Sequence, residues 1–192
     1  MSGDVKRKIA EELHKPARIH FKRRRVIVKG INDLYQADLV EMIPYAGQNG
    51  GNRCILVVID VFSKYAWAVP VKTKSAKDVT KAMKTILKDG NVPKNLQTDN
   101  GKEFYNKEFK SLMSNLKINH YSTFSSLKAS VVERLNRTLK GLMWKEFSIQ
   151  GSFKWLKLLP EVLLRYNSRK HSTIGMKPIE VKNNVDKNEK SY

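Results

Sequence analysis

The stretch 96-LQTDNGKEF-104 takes an apolar strand to its end at Asp99 and follows the carboxylate almost at once with a glycine. A carboxylate at the end of a buried strand is costly unless a cationic side chain, a helix N-terminus or a metal ion neutralises it. On its N-terminal side, after Gly90 and Pro93, the strand 94-KNLQT-98 is preceded by a helix predicted over 76–89. There Val79, Ala82, Met83, Ile86 and Leu87 recur at helical spacing behind the N-cap Ser75. On its C-terminal side a helix is predicted over 106–116, with Phe109, Leu112, Met113 and Leu116 as its inner stripe, then a strand over 118-INHYS-122. Helix, strand, helix, strand around one aspartate is the alternation of an α/β sheet.

Further upstream, 34-LYQADLVEMI-43, 53-RCILVVIDVF-62 and 65-YAWAVPVK-72 read as three strands in an antiparallel meander. They are separated by the turn 47-GQNGGN-52 and the tight Ser63–Lys64 link. Downstream, the polar loop 123-TFSSLKA-129 leads into a long helix over about 130–147. A helix over 153–167, broken or kinked at Pro160, follows, and then a turn and a short helix started by Pro178. The expectation is a mixed five-stranded sheet flanked by helices. Residues 1–32 form a basic arm or the remnant of a preceding domain, 33–182 the globular core and 183–192 a polar tail.

The chain has 192 residues, enough for one domain with a substantial core. Its one cysteine, Cys54, excludes a disulfide framework and a Cys-rich zinc module. No apolar run suits a membrane span, and no apolar block suits a signal peptide. Lys and Arg number 37 against 18 acids, a net charge of +19, which points to a polyanionic partner, with nucleic acid ahead of an acidic membrane surface. Residues 1–32 alone hold ten Lys or Arg against three acids. The run 22-KRRR-25 reads as a nuclear-import signal, a phosphate clamp or a solvated lead-in.

Two more acids stand out. Asp38 sits mid-strand in 34-LYQADLVEMI-43, with Gln36 on its face, and in a sheet with short connections the end of the Asp99 strand can lie beside it. Glu133, Asn136, Arg137 and Lys140 stand at i, i+3, i+4 and i+7 on the long helix. Alone, that face is a solvated stripe with an i,i+4 Glu–Arg pair. Beside Asp38 and Asp99 it reads as a metal ligand followed by phosphate and base contacts. Carboxylates suit Mg²⁺, and two such ions about 3.5–4 Å apart can activate a water or sugar hydroxyl and stabilise the leaving oxygen at phosphorus. Asp60 reads as a cap for the turn at Ser63 rather than a further ligand. His120 and His171 read as packing histidines, and Trp67, Trp144 and Trp155 as core or interface anchors.

The order of Asp38 in 35-YQADLVEM-42, Asp99 in 98-TDNGKEF-104 and Glu133 in 131-VVERLNRTLK-140 resembles the D,D-E integrase and transposase catalytic core. The segments 57-VVIDVFSKYAWAVPVK-72 and 165-RYNSRKHSTIGMKPIEV-181 are similar to the family's second and third strands and its closing helical region. Within the family the chain looks most like Maverick/Polinton-type transposon integrases, in 94-KNLQTDNGKEFYNKEFK-110 and 119-NHYSTFSSLKAS-130. The resemblance spans about residues 10–182. It implies a ribonuclease-H-like fold and a polynucleotidyl transferase that trims and joins DNA ends. Asp38, Asp99 and Glu133 would hold two Mg²⁺ or Mn²⁺ ions, while Asn136, Arg137 and Lys140 would contact DNA. It also implies a nuclear site of action, element ends and target DNA as partners, and a homo-oligomer of two or more copies. The interval from Asp99 to Glu133 is slightly shorter than in retroviral cores, and one cysteine cannot build the family's zinc module, so a bare core is expected. The alternatives are a nuclease of the same fold without joining activity, and a host-adopted or truncated DNA-binding or assembly protein.

Overall fold

The computed structural model describes residues 26–88, 92–122 and 129–189. Most of the expected basic arm, with its 22-KRRR-25 run, lies outside the described residues, as does most of the loop before the long helix. Five strands form one mixed sheet: β1 (Leu34–Glu41), β2 (Cys54–Asp60), β3 (Ala66–Val71), β4 (Asn95–Thr98) and β5 (Asn119–Ser122). Their spatial order is β3-β2-β1-β4-β5. The first three pair antiparallel, whereas β1–β4 and β4–β5 pair parallel; one helix leads from β3 to β4 and another from β4 to β5. The helices are α1 (Ala76–Leu87), α2 (Lys107–Asn115), α3 (Ser130–Gln150), α4 (Trp155–Asn167) and α5 (Pro178–Glu189). The expected α/β architecture is the one observed.

Strand β2 reads CILVVID and is buried along its whole length, because both faces of the sheet are covered. Its alternating side chains split the core in two. Cys54, Leu56 and Val58 pack with Val79, Met83 and Ile86 of α1 and with Phe109 and Met113 of α2. Ile55, Val57 and Ile59 pack with Val132, Leu135, Leu139 and Met143 of α3 and with Trp155, Leu159 and Val162 of α4. On β1, Tyr35 and Ala37 join the first cluster and Val40 the second. Gln36 and Asp38 alternate with Tyr35 and Ala37, so the polar residues of β1 belong to the face that α3 covers.

Several boundaries differ from the sequence reading. Strand β1 stops at Glu41, and a short 3-10 helix, Ile43–Asn49, started by Pro44, precedes Gly50 and Gly51 at φ +60° and +77°. Those positive values favour glycine, which is why the expected turn ends there. Helix α4 is continuous across Pro160; Pro160 and Leu156 are both exposed, so the carbonyl that loses its donor can turn to water. Helix α5 runs through Glu189, past the expected start of the polar tail at residue 183.

Candidate active site

The β1–β4 register pairs Gln36 with Gln97, one residue short of the strand end at Thr98. Asp38 and Asp99 each lie two residues beyond that pair, so a shared pleat puts both acids on the α3 side of the sheet. Both strands thus carry the same three-residue pattern, 36-QAD-38 and 97-QTD-99.

Gln36 is 1% exposed and forms the junction of the site. Its amide donates to Oε1 of Gln97 at 2.9 Å. Its Oε1 accepts from the backbone N–H groups of Val131 and Val132 at 3.0 and 3.1 Å. These are among the first-turn N–H groups of α3 that have no partner within the helix, and no side chain of the N-cap Ala129 serves them. A side chain from the sheet therefore caps the helix that carries Glu133. Only Gln36's place on the face of Asp38 was noted in the sequence. The repeated Gln-x-Asp pattern was the signal for the Gln36–Gln97 pair.

Asp38 is partly buried. Its Oδ1 accepts from the Leu39 N–H at 2.8 Å and its Oδ2 from Nδ2 of Asn136 at 2.7 Å. Burial pushes its carboxyl above the ordinary value of 3.8, and the charges of Asp99 and Glu133 push in the same direction; the Leu39 N–H and the Lys140 ammonium pull the other way. All three acids of the sequence reading therefore act within one electrostatic neighbourhood. Asp99 and Glu133 are exposed, and among the described residues no three carboxylate, His or Cys side chains stand close enough to hold an ion.

The glycine of the opening stretch serves the loop after Asp99. The Gly101 N–H reaches Oδ1 of Asp99 at 3.3 Å, and the Gly101 carbonyl accepts from Phe104 and Tyr105 at 3.0 and 2.9 Å. Phe104, 1% exposed, anchors the loop edge-on to Phe109 at 5.4 Å.

Asn136, expected among the DNA contacts, turns inward: it is 8% exposed and its amide is taken by Asp38. Its Oδ1 is buried with no hydrogen-bond partner among the described residues. Arg137 and Lys140 stay on the exposed surface of α3. Asp38 with Asp99 and Glu133 near it offers hard oxygen donors of the type a divalent cation takes, although among the described residues they are not drawn close enough together to hold one.

The remaining candidates have structural roles. Asp60, 1% exposed, accepts from the Phe62 N–H at 3.0 Å and from Oγ of Ser63 at 2.7 Å, the cap expected of it. His120 shares a 2.9 Å bond with Oγ1 of Thr98 and packs on Tyr105 and Phe109; burial lowers its pKa from 6.5. Trp155 is fully buried, Trp67 packs on Tyr35 and Tyr65, and Trp144 is exposed on α3 against Tyr45 and Phe147.

Residues 29–123 match the integrase core domain family. The chain carries an integrase core domain. It is 33% identical over 141 residues to a transposon-derived protein of Caenorhabditis elegans, a match covering 73% of this chain and 49% of that protein. It is 34% identical over 150 residues to the Gag-Pol polyprotein of woolly monkey sarcoma virus, covering 77% of this chain and 9% of the polyprotein. The chain thus spans about half of the first relative and a small part of the second. Among solved structures, the magnesium-bound catalytic core of HTLV-2 integrase in its trimeric form superposes with a TM-score of 0.68 at 20% identity, covering 81% of this chain and 99% of that one. The simian T-cell lymphotropic virus intasome superposes with a TM-score of 0.72 at 21% identity, covering 85% of this chain and 59% of that one. The integrase core domain here has the ribonuclease-H-like fold of those neighbours. No helix among its described residues is long and apolar enough to cross a membrane.

Proposed function

We propose that this integrase core domain trims 3′ ends of transposon DNA and joins them to target DNA, in the nucleus and as an oligomer of two or more copies. Its source on this reading is a Maverick/Polinton-type element. The observation that carries the chemistry is the convergence on Asp38: a partly buried carboxyl raised by burial and by two further acids, one just past β4 and one from α3, with an amide oxygen beside it that has no partner among the described residues. In a fold with no ligand to hold, that arrangement is all cost.

On this reading Asp38, Asp99 and Glu133 hold one or two divalent ions, Mg²⁺ or Mn²⁺. When bound, such ions supply activation of a water or hydroxyl nucleophile and charge stabilisation at the leaving oxygen. Gln36 fixes the α3 N-terminus and hence Glu133 against the sheet. Asn136 orients the Asp38 carboxylate. Arg137 and Lys140, one and two turns beyond Glu133, hold the DNA backbone over the acids. The net charge of +19 supports a polyanionic substrate.

The test is incubation with an end-labelled duplex carrying an element terminus, with Mn²⁺, and in parallel with a branched duplex that mimics a one-ended insertion product. Shortened and elongated strands from the first, and resolution of the second, are expected. Shortened strands alone would identify a nuclease. DNA binding with neither product, with metal bound and the fold intact, would identify a DNA-binding protein that keeps the fold.

A further inference from the structure

A cleft of about 920 Å³ opens on a different side of α3, with Ile59 of β2, Leu135 of α3 and Tyr166 of α4 in its walls. Five basic side chains line it from three parts of the chain: Lys64 of the β2–β3 turn, Arg134 of α3, and Arg169, Lys170 and His171 of the α4–α5 connection. No acidic residue is among its lining. Among the described residues, no carboxylate forms an ion pair with Arg134, Arg169 or Lys170.

At 3.6 residues per turn, Arg134 and Thr138 stand about 120° or more around the helix from Lys140 and from Asn136, which faces Asp38, while Arg137 lies about 60° from Arg134, so the cleft adjoins Arg137 but faces away from Asp38. Burial together with Lys64 and Arg134 lowers the pKa of His171; burial lowers that of Lys64, with Asp60 pulling the other way and Arg134 adding a smaller downward push. Nδ1 of His171 accepts from the Thr173 N–H at 3.2 Å, which leaves Nε2 to carry the proton of the neutral ring and to donate. Lys64 spends one donor on the Val61 carbonyl at 2.6 Å and keeps two. Asp60, held in its turn by Phe62 and Ser63, acts on Lys64 alone, and donors converging from three elements on a cleft with no carboxylate in its lining suit a phosphate group.

We propose that this cleft is a second polyanion site, one that binds phosphodiester groups of a nucleic-acid strand running along the far flank of α3. It rests on DNA being the substrate of this domain but not on any chemistry at Asp38. A strand in the cleft and a strand over Lys140 would lie about 120° or more apart around α3.

The test uses the full chain in EDTA and a short fluorescein-labelled duplex, with anisotropy read across a KCl series. Arg134→Ala combined with Lys170→Ala should weaken binding and make the slope of log K against log[salt] shallower by about 2, one for each lost phosphate contact. The charge-matched control is Lys84→Ala with Lys88→Ala on the exposed side of α1, which should keep the wild-type slope. Equal slopes for cleft variant and control would overturn the proposal. Pyrophosphate separates a free phosphate compound from a strand: it should shift the His171 side-chain NMR signals of the wild type, and the duplex should displace it. Saturable pyrophosphate binding that the duplex cannot displace would overturn the nucleic-acid assignment, as would silence of His171 to both probes. A wild-type chain that binds no duplex overturns both this site and the proposed function. One that binds duplex through the cleft yet yields no cleaved or joined product overturns only the function.

Discussion

Replacing Gln36 by Met tests whether the sheet-to-helix junction holds the site together. Met has similar length and volume, so little packing changes, but it offers the helix no comparable acceptor. The Val132 N–H, in a buried bond of 3.1 Å, and the Val131 N–H, in a partly buried one of 3.0 Å, lose their partner together. A buried donor left unsatisfied costs about 1–3 kcal/mol, and the severed Gln36–Gln97 bond adds to that, so the loss should be roughly 2–5 kcal/mol. Against the 5–15 kcal/mol typical of a whole domain, this is a large share. The assay is urea unfolding followed by far-UV circular dichroism, with the midpoint expected to fall at unchanged slope. Amide exchange at Val131 and Val132 should quicken beyond the global change. A shift equivalent to less than about 1 kcal/mol would refute the role given to this junction.

Asp38→Asn, Asp99→Asn and Glu133→Gln should each abolish cleavage and joining while circular dichroism stays native, and retained activity in any one removes that residue from the metal set. Because the Asp38 pKa is raised from 3.8, the folded state holds that proton more tightly than the unfolded chain, so this contribution to stability is present below that value and lost as pH rises through the raised one. Metal-free Asp38→Asn should therefore melt higher than wild type in EDTA at neutral pH, its new amide able to donate to Oδ1 of Asn136; a lower melting temperature would count against the repulsion. Lys140→Ala should weaken DNA binding and make its salt slope shallower by about 1, leaving metal affinity at the acids unchanged by calorimetry. The pKa of His120 is lowered from 6.5 by burial, so its contribution falls as pH drops below 6.5 through the lowered value. His120→Gln should flatten that part of the stability–pH curve, and an unaltered curve would assign the acid sensitivity elsewhere.

The elements visible in the sequence were those with a strong period. The stripe of Val79, Ala82, Met83 and Ile86 fixed α1 to within two residues, and the Asp60 cap could be read from its distance to Ser63. Asp38 and Asp99 stood out because a carboxylate in or at the end of an apolar strand violates local preference, and Glu133 because it shares a helix face with Asn136, Arg137 and Lys140. What could not be read is which way a polar side chain turns. Asn136 shares a helix face with Arg137 and Lys140, yet it is buried against Asp38 of β1 while the other two stay exposed. The basic cleft escaped for a related reason: its residues come from positions 64, 134 and 169–171, and no local window joins them. Pro160 misled in the other direction, because a helix tolerates proline where the orphaned carbonyl can be hydrated.

The parallel pairing of β1 with β4 has a consequence for the order in which the molecule is built. The β1–β2–β3 meander closes over short turns, so it can form as soon as it leaves the ribosome. Gln36 and Asp38, by contrast, must wait for partners 96 and 98 residues further along the chain. Contacts of that span form slowly, because the loop entropy is lost before the contact repays it. The acidic site is thus completed only after most of the chain has emerged, and the contacts of residues 153–167 with Asn49 and Ala66, which span 101 to 107 residues, come later still.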